Sequence, residues 1–284
     1  MSAALPPGLA GELGAEAVSA RVVSGGDIAA ARRVDLADGR TVFVKTLEGA
    51  PADFFAAEAA GLAWLAEPGA IAVAEVVAVA ADGLALTFVH GGPPAPDHDE
   101  RLGRGLAALH RAGAAAFGWD RPGFIGSLPL DNTPADEWGP WWVERRLRPY
   151  ARLGVERGAC DGSVLDRLDR LEKVIDDRAG PPEPPARIHG DLWAGNRMVA
   201  DDGAPMLIDP AAHGGHRETD LAMMALFGGY GPRVFSAYEE AWPLADGAEG
   251  RVPLHQLHPL LVHVALFGAS YAVGVDRALG DLGC

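Results

Sequence analysis

The densest group of residues capable of chemistry begins at His189 and reads His-Gly-Asp-Leu-Trp-Ala-Gly-Asn, and Asp209 follows thirteen positions after Asn196. Phosphoryl transfer to a hydroxyl needs a carboxylate beside the acceptor and oxygen ligands for a magnesium ion that bridges the nucleotide phosphates. Asp191 offers the carboxylate, as the base that orients the hydroxyl and accepts its proton, and Asn196 and Asp209 offer the metal ligands. These residues also populate simple turns, but three suitable groups at this spacing favour phosphoryl transfer. We call His189 to Asn196 the catalytic loop, and we interpret His189 as a residue that supports the geometry of this loop.

A second set of residues, nearer the N-terminus, fits the binding of nucleotide phosphates. Gly25 and Gly26 lie in a predicted turn between strands, through which backbone amides can approach phosphates closely. Lys45 ends the next predicted strand and Glu58 follows thirteen residues later on a predicted helix. An ion pair between them would aim the ammonium at the α- and β-phosphates. The alternative is that Lys45 is a surface charge of an edge strand and Glu58 a solvated carboxylate.

Two further stretches contain candidate binding residues. Thr87, Phe88 and Val89 end the last predicted strand before a Gly/Pro break. A kinase-like cleft would present backbone groups to adenine at this position. Trp193, inside the catalytic loop, offers an apolar face to a sugar ring.

Asp220 ends the polar stretch that begins at Gly214, and it is expected to cap a helix or brace the catalytic loop. His213 and His216 lack the helical spacing of a zinc site.

The elements that must position these residues divide the chain at the break Gly91-Gly92-Pro93-Pro94. Before it, Ala31 to Thr46 predicts a hairpin around Asp38-Gly39, and Ile71 to Val89 predicts short strands. After it, Arg187 to Asp209 predicts a strand, a turn and a second strand. The predicted helices are Asp53 to Glu67, Asp99 to Arg111, Ser163 to Arg178 with a capping box of Ser163 and Asp166, Leu221 to Phe227, and Leu254 to Val275. The sequence therefore predicts an α+β fold of two lobes, a small β-rich lobe at residues 1–90 and a larger, mainly helical lobe at residues 91–284.

Composition excludes several classes of protein. The chain has 284 residues, of which 49% are apolar, and a formal net charge of −15, which disfavours nucleic acid as a partner. Its longest apolar stretches are interrupted and shorter than the roughly 20 residues that a membrane helix needs, and its N-terminus lacks the basic start of a secretory signal. A cytoplasmic protein without a membrane span is expected. Cys160 and Cys284 are too few for a disulfide scaffold and are expected to be free thiols.

Several of these motifs together resemble the fructosamine/ketosamine 3-kinase family, which has a protein-kinase-like fold related to aminoglycoside phosphotransferases. The resemblance covers nearly the whole chain. It rests on His189 to Asn196, on Asp209-Pro210-Ala211 and on Gly215 to Met223, and it extends to Gly25-Gly26-Asp27-Ile28, Phe117 to Asp120, Phe124 to Ser127, Glu144 to Pro149, and Val252-Pro253-Leu254.

The resemblance implies ATP and Mg²⁺, with Asp191 as the base that activates the sugar 3-hydroxyl of a small or protein-bound ketosamine. Phosphorylation there destabilises the glycation adduct and allows the amine to be recovered. The resemblance adds His216 and Glu218 to Trp193 as substrate contacts. Some relatives carry a cysteine in the Gly-rich turn, but this chain has Asp27 after Gly25-Gly26, which puts a redox switch there in doubt.

Other readings stay open at this point. An aminoglycoside- or choline-type phosphotransferase would use the same base, metal ligands and fold on another hydroxyl. A nucleotide-binding scaffold without activity is disfavoured, because every catalytic group is present. Pro210-Ala211 replaces the Phe-Gly of protein kinases, which disfavours a peptide substrate. The preferred ketosugar, free or protein-bound adducts, and a monomer or a weak homodimer are not separated by the sequence.

Overall fold

The N-terminal part of the protein is built around an antiparallel sheet. The structure is a computed structural model that describes residues 5–23 and 28–284. The elements of this part are α1 (Pro7–Leu13), β1 (Ala17–Val22), β2 (Ala30–Leu36), β3 (Thr41–Thr46), α2 (Phe54–Ala66), β4 (Ala72–Val73), β5 (Val76–Ala80) and β6 (Gly83–Thr87). Five of the strands form one sheet in the order β1-β2-β3-β6-β5. The Gly-rich turn at Gly25 and Gly26 lies outside the described residues.

The hairpin of β2 and β3 carries Lys45 into the sheet. Gly39 adopts a φ of 89° in the tight turn, and the side chain of Asp38 accepts a hydrogen bond from the Arg40 amide at 3.0 Å. Alternate side chains of the two strands are buried against α1. The register then pairs Lys45 with Ala31 on one side and with Leu84 of β6 on the other. Lys45 is therefore on a central strand, so its alternative as an edge-strand charge is wrong.

The C-terminal part is mainly helical. Its elements are α3 (His98–Arg111), β7 (Gly123–Ile125), β8 (Leu128–Leu130), α4 (Trp138–Trp141), α5 (Arg148–Glu156), α6 (Ser163–Glu172), α7 (Ile175–Ala179), β9 (Ala186–Ile188), β10 (Arg197–Val199), β11 (Pro205–Leu207), β12 (His213–Gly215), α8 (Glu218–Phe227), α9 (Pro232–Ala241), α10 (Ala248–Phe267) and α11 (Ala272–Asp281). A π-helical segment (Trp142–Leu147) joins α4 to α5. Trp142 of this segment and the two tryptophans of α4 belong to the same hydrophobic core as the leucines of α10. None of the helices in the described ranges is long and apolar enough to cross a membrane. The predicted α+β class is confirmed.

Two predicted helices are wrong in their details. The stretch from Ser163 to Arg178 forms two helices, α6 and α7. The predicted capping box is absent, because Ser163 is already helical and its amide donates at 2.9 Å to the side chain of Asp161. The helix predicted from Leu254 begins earlier and stops at Phe267, where Gly268 takes a φ of 92°. A separate helix, α11, follows.

The predicted lobe boundary lies in the segment between β6 and α3, and this segment forms hydrogen bonds with the turn between β10 and β11. The Gly91 amide donates to Asp201 Oδ1 at 3.1 Å, and the Ala95 amide donates to the Gly203 carbonyl at 3.0 Å. Strand β4 also pairs in parallel with β11 of the C-terminal part. The pairing of β4 with β11 joins the two parts through backbone hydrogen bonds, and the division at residue 90 stays a prediction.

Candidate active site

Lys45 lies between two carboxylates at the junction of the two parts. Its Nζ donates to Glu58 Oε1 at 2.8 Å and also contacts Asp209 Oδ1. Both Lys45 and Glu58 are buried, because α2 packs against the sheet at this point. The structure thus brings together the lysine and glutamate that the sequence pairs, with Asp209 as a third member. The alternative of a solvated Glu58 is wrong.

The catalytic loop follows β9 and brings Asp191 and Asn196 together. A short 3-10 turn from Ala194 places Asn196 so that its Nδ2 donates to Asp191 Oδ2 at 3.0 Å and to the Asp191 carbonyl at 2.8 Å. The same Nδ2 reaches the Asp209 carbonyl at 3.3 Å. The β10–β11 hairpin between Asn196 and Asp209 closes this arrangement, since the Ile208 amide donates to the Asn196 carbonyl at 3.1 Å.

Two buried side chains, Asp220 and His189, fix the position of the catalytic loop through hydrogen bonds. Asp220 is fully buried and accepts hydrogen bonds from the His189 amide at 2.7 Å, the Gly190 amide at 2.9 Å and His110 Nε2 at 3.1 Å. His189 Nε2 donates to the Ile208 carbonyl at 2.9 Å. His189 therefore links the catalytic loop to the strand that precedes Asp209. Both residues have the supporting positions that the sequence analysis expects of them.

Asn196 and Asp209 form a donor set that fits Mg²⁺. The side-chain hydrogen bonds of Asn196 all use its Nδ2, so among the described residues its Oδ1 accepts from no protein donor. Asp209 adds a carboxylate and adopts a φ of 58°, an uncommon conformation for a residue with a side chain. Magnesium prefers such hard oxygen ligands. The backbone strain at Asp209 is typical of functional positions.

Burial and charge change the ionisation of the three central groups. Burial, together with the nearby charge of Asp209, raises the pKa of Asp191 to about 7 against the opposing hydrogen bond from Asn196. Burial also raises the pKa of Glu58, against the opposing charge of Lys45. For Lys45 burial lowers the pKa, but the charges of Glu58 and Asp209 outweigh it and raise the pKa. Lys45 is therefore an ammonium, and Asp191 has the affinity for a proton that a general base needs near neutral pH.

These groups line a cavity of about 600 Å³ between the two parts. Lys45, Glu58, Asp191, Asn196 and Asp209 all reach it. Trp193 is 40% exposed and also lines it, and its indole lies against Gly195, where a Cβ atom would come within 2.1 Å of the ring. The cavity also has an aromatic wall, which includes Trp119, Phe124, Phe227, His263, Phe267 and Tyr271.

Sequence reasoning missed the part of this wall that α10 and the following turn provide. The sequence analysis predicts only a helix from Leu254 to Val275, but His263, Phe267 and Tyr271 line the cavity, and the rings of Phe267 and Tyr271 pack on His263 with centroids 4.9 to 5.3 Å away. His263 and Phe267, four residues apart, lie on one face of α10, and Tyr271 follows in the turn after Gly268. An aromatic and histidine stripe ending at a glycine was the available signal.

Several predicted site residues lie elsewhere. His216 and Glu218 are buried below the catalytic loop, with 5% and 4% of their surface exposed, and neither lines the cavity. Glu218 accepts hydrogen bonds from Arg251 at 2.6 to 3.2 Å, and the His216 ring packs 4.7 Å from that of His255. The structure corrects the prediction that His216 and Glu218 contact the substrate. Glu218 forms a buried ion pair with Arg251, and the His216 ring packs against His255 inside the lobe.

Thr87 is the last residue of β6 and Phe88 and Val89 follow it, and none of the three lines the cavity. The Phe88 ring packs under the Arg33 guanidinium at 5.3 Å, on the sheet side. Their predicted contact with adenine depends on backbone groups and stays a prediction. Cys160 and Cys284 are free, as predicted.

The family model described as fructosamine kinase matches residues 10–282. The chain belongs to the fructosamine kinase family. It is therefore a phosphotransferase, in accord with the arrangement of Asp191, Asn196 and Asp209. A probable ketoamine kinase of Thermus thermophilus is 39% identical over 255 residues, which cover 90% of each protein.

Solved structures agree with this assignment. An inferred fructosamine-3-kinase from Thermobifida fusca superposes with a TM-score of 0.89 at 46% identity and covers 97% of each chain. A choline kinase from Streptococcus pneumoniae superposes with a TM-score of 0.62 at 14% identity and covers 94% of each chain. The second likeness concerns the fold alone. The kinase-like, two-lobed architecture predicted from the sequence is confirmed.

Proposed function

We propose that this fructosamine kinase family member uses ATP to phosphorylate the sugar 3-hydroxyl of ketosamines, the fructosamine or ribulosamine adducts of glycation. The observation that carries the proposal is the convergence of Lys45, Glu58, Asp191, Asn196 and Asp209 on one cavity with an aromatic wall. The printed names of the relatives, ketoamine kinase and fructosamine-3-kinase, supply the acceptor class. The product is a 3-phosphorylated adduct, which is less stable than its precursor and releases the amine. The protein would thus act in deglycation repair.

In the proposed reaction Asp191 accepts the proton of the acceptor hydroxyl while the hydroxyl oxygen forms a bond to the γ-phosphorus. The bond from the γ-phosphorus to the β,γ-bridging oxygen breaks, and ADP leaves with the electron pair. Lys45, oriented by Glu58, would contact the α- and β-phosphates. Asn196 and Asp209 would hold Mg²⁺, which neutralises the phosphate charge when it is bound.

The aromatic wall supports an acceptor with a sugar chain and an attached amine. Trp193 offers its exposed indole next to Asp191, and the rings of Phe227, Phe267 and Tyr271 continue the surface. Aromatic faces attract both C–H-rich sugar surfaces and cationic amines. We also propose that Thr87 to Val89, together with Gly25 and Gly26, serve the nucleotide, and that the protein acts in the cytoplasm as a monomer or a weak homodimer.

The test is phosphorylation of ribulosyl-lysine and fructosyl-lysine in parallel with an aminoglycoside and choline, each with ATP and with or without Mg²⁺. Asp191→Asn protein is the control for contaminating kinases. We expect turnover of at least one ketosamine that needs both ATP and Mg²⁺. Turnover of the aminoglycoside or choline alone would reassign the acceptor, and absence of all turnover by folded protein would contradict the proposal.

A further inference from the structure

The helix that carries Glu58, α2, lies between the two parts of the molecule and contacts both. One of its faces, with Phe55, Ala59 and Leu62, packs in the core of the N-terminal sheet. Its C-terminal turn leaves that core, and Leu65 packs instead with the leucines of α3 and of the catalytic loop. Glu58 therefore sits on an element whose orientation is set from two sides.

At the C-terminal end of α2, the polar contacts and the cation–π contact with the other part come from Arg187 on β9. Arg187 Nη1 donates to the Trp64 carbonyl at 2.5 Å and to Glu67 Oε2 at 2.9 Å, and its Nε donates to the Gly113 carbonyl at 3.3 Å. The guanidinium also lies 4.4 Å from the centroid of the Trp64 ring. The arginine thus combines two carbonyl contacts, an ion pair and a cation–π contact, although its side chain is only 13% exposed.

A stack of rings extends this contact along the surface of the cleft. The Trp64 ring stacks on Trp119 with centroids 5.0 Å apart and planes at 29°, and the Arg121 guanidinium covers Trp119 at 4.8 Å. The order is therefore Arg187, Trp64, Trp119, Arg121, with Trp64 alone contributed by α2. Stacked aromatic pairs contribute roughly 0.5–1.5 kcal/mol beyond their buried area. The stack fixes the rotation of the helix about its own axis, because a turn of α2 would remove Trp64 from between its neighbours.

We propose that Arg187 is a positioning residue for phosphoryl transfer, which holds α2 in the orientation that places Glu58 against Lys45. The proposal rests on the role proposed above for Lys45 and Glu58. Arg187 lies four residues before Asp191 on the strand that leads into the catalytic loop, so one residue couples the helix of the phosphate-binding lysine to the strand of the base. Its place on β9 is fixed by pairing with Gly214 of β12.

The size of the effect follows from the geometry at Glu58. The Glu58 Oε1 to Lys45 Nζ distance is 2.8 Å, so a small rotation of α2 is enough to break this hydrogen bond. A misplacement of about 1 Å in a catalytic group can cost up to about 100-fold in rate. Because the apolar face of α2 remains anchored in the sheet, loss of Arg187 should shift the helix only in part. We expect a rate loss of about tenfold.

The experiment compares Arg187→Met with Arg187→Lys in ATP hydrolysis measured without an acceptor, so that an error in the acceptor class does not affect the result. Arg187→Met should lower kcat/KM for ATP about tenfold, and Arg187→Lys, which can still donate to the Trp64 carbonyl, should recover part of this loss. In a Glu58→Gln background Arg187→Met should cost less than about twofold, because the group that it positions is gone. Full additivity of the two losses would overturn the proposal.

Arg111→Met is the matched control, since Arg111 donates to the Ala241 carbonyl at 2.8 Å and covers Trp242 at 5.2 Å within the C-terminal part. It should leave hydrolysis unchanged. Hydrogen exchange supplies a second readout that needs no activity: amides of α2 should exchange faster in Arg187→Met and at the native rate in Arg111→Met. Native exchange throughout α2 in folded Arg187→Met would also overturn the proposal.

Discussion

Two polar segments of the C-terminal part both contain histidine, glycine and aspartate, but their surroundings differ. The catalytic loop, His189 to Asn196, presents Asp191 and Trp193 to the cavity. The second segment, Ala211 to Asp220, contains histidines, an arginine and two acids, and each of its residues is buried. Residue type therefore does not separate chemistry from support in this molecule; the partners of each side chain do.

The partners explain this difference in energetic terms. Arg217 and Glu218 of the buried segment are compensated by Glu183 and Arg251, with contacts of 2.6 to 3.2 Å, and Asp220 accepts three hydrogen bonds. Within the described ranges, the Asp191 carboxylate accepts a hydrogen bond from the Asn196 side-chain amide alone, and burial is the main cause that raises its pKa to about 7. A buried segment must satisfy its charges to be tolerated, whereas a base is useful because its own charge is incompletely satisfied.

The largest effect should come from Asp191→Asn in the catalytic loop. The variant keeps the size of the side chain but cannot accept the acceptor proton, so kcat should fall by about 10²–10⁴-fold. Nucleotide affinity and thermal stability should stay close to those of the parent, because no metal ligand is removed. A titration with ATP and a melting curve provide the controls. A rate within tenfold of the parent would contradict the role proposed for Asp191.

Asp220→Asn, in the buried segment, should act on stability first. Asparagine offers one acceptor oxygen where Asp220 uses two, and its amide group would meet a backbone N–H donor. Breaking such a buried network costs about 3–5 kcal/mol, measured as the free energy of unfolding in urea. Asp202→Asn, in an exposed turn, is the matched control and should change that free energy by less than about 0.5 kcal/mol. A stable Asp220→Asn protein would remove the distinction between the two segments.

The sequence predicts the roles of residues in the catalytic loop better than the roles of residues in the buried segment, and the reason is physical. Asp191, Asn196 and Asp209 follow a local spacing that one hairpin closes, so their meeting depends on few long-range contacts. The partners of the buried segment lie far along the chain, as with Glu218 and Arg251, which are 33 residues apart. Nothing local distinguishes a histidine that binds substrate from one that is enclosed. The aromatic wall from α10 was missed because its apolar stripe also fits a core helix.

The histidines around the buried segment should make the protein sensitive to acid. Burial lowers the pKa of His213, His255 and His258 well below the usual range, with contributions from Arg146 at His213 and His258 and from His216 and Arg251 at His255. The unfolded chain binds protons near pH 6.5 and the folded protein does not, so stability is complete above pH 6.5 and is lost as the pH falls below it. Each such histidine costs about 1.4 kcal/mol per pH unit.

Unfolding in urea at pH 7.5, 6.5 and 5.5 measures this loss. His258→Phe should reduce the slope below pH 6.5 by about 1.4 kcal/mol per pH unit, because the rings of Trp142 and Tyr150 around it accept another aromatic side chain. Trp142→Phe changes the same cluster without removing a titratable group, and it should shift the free energy of unfolding equally at every pH. Equal slopes in the parent and in His258→Phe would show that this histidine is not buried in its neutral form.

The smallest effect is expected at Trp193, and it sharpens the comparison because it concerns contact with the acceptor alone. Trp193→Leu should raise KM for the ketosamine about fivefold, equivalent to about 1 kcal/mol of lost aromatic contact, with KM for ATP unchanged. Gly195→Ala tests the same contact indirectly, since its new Cβ atom would come within 2.1 Å of the indole and displace it. If Gly195 matters only through Trp193, the double variant should be no worse than Trp193→Leu. Additive losses would mean that the Gly195 backbone serves the site independently of the ring that lies against it.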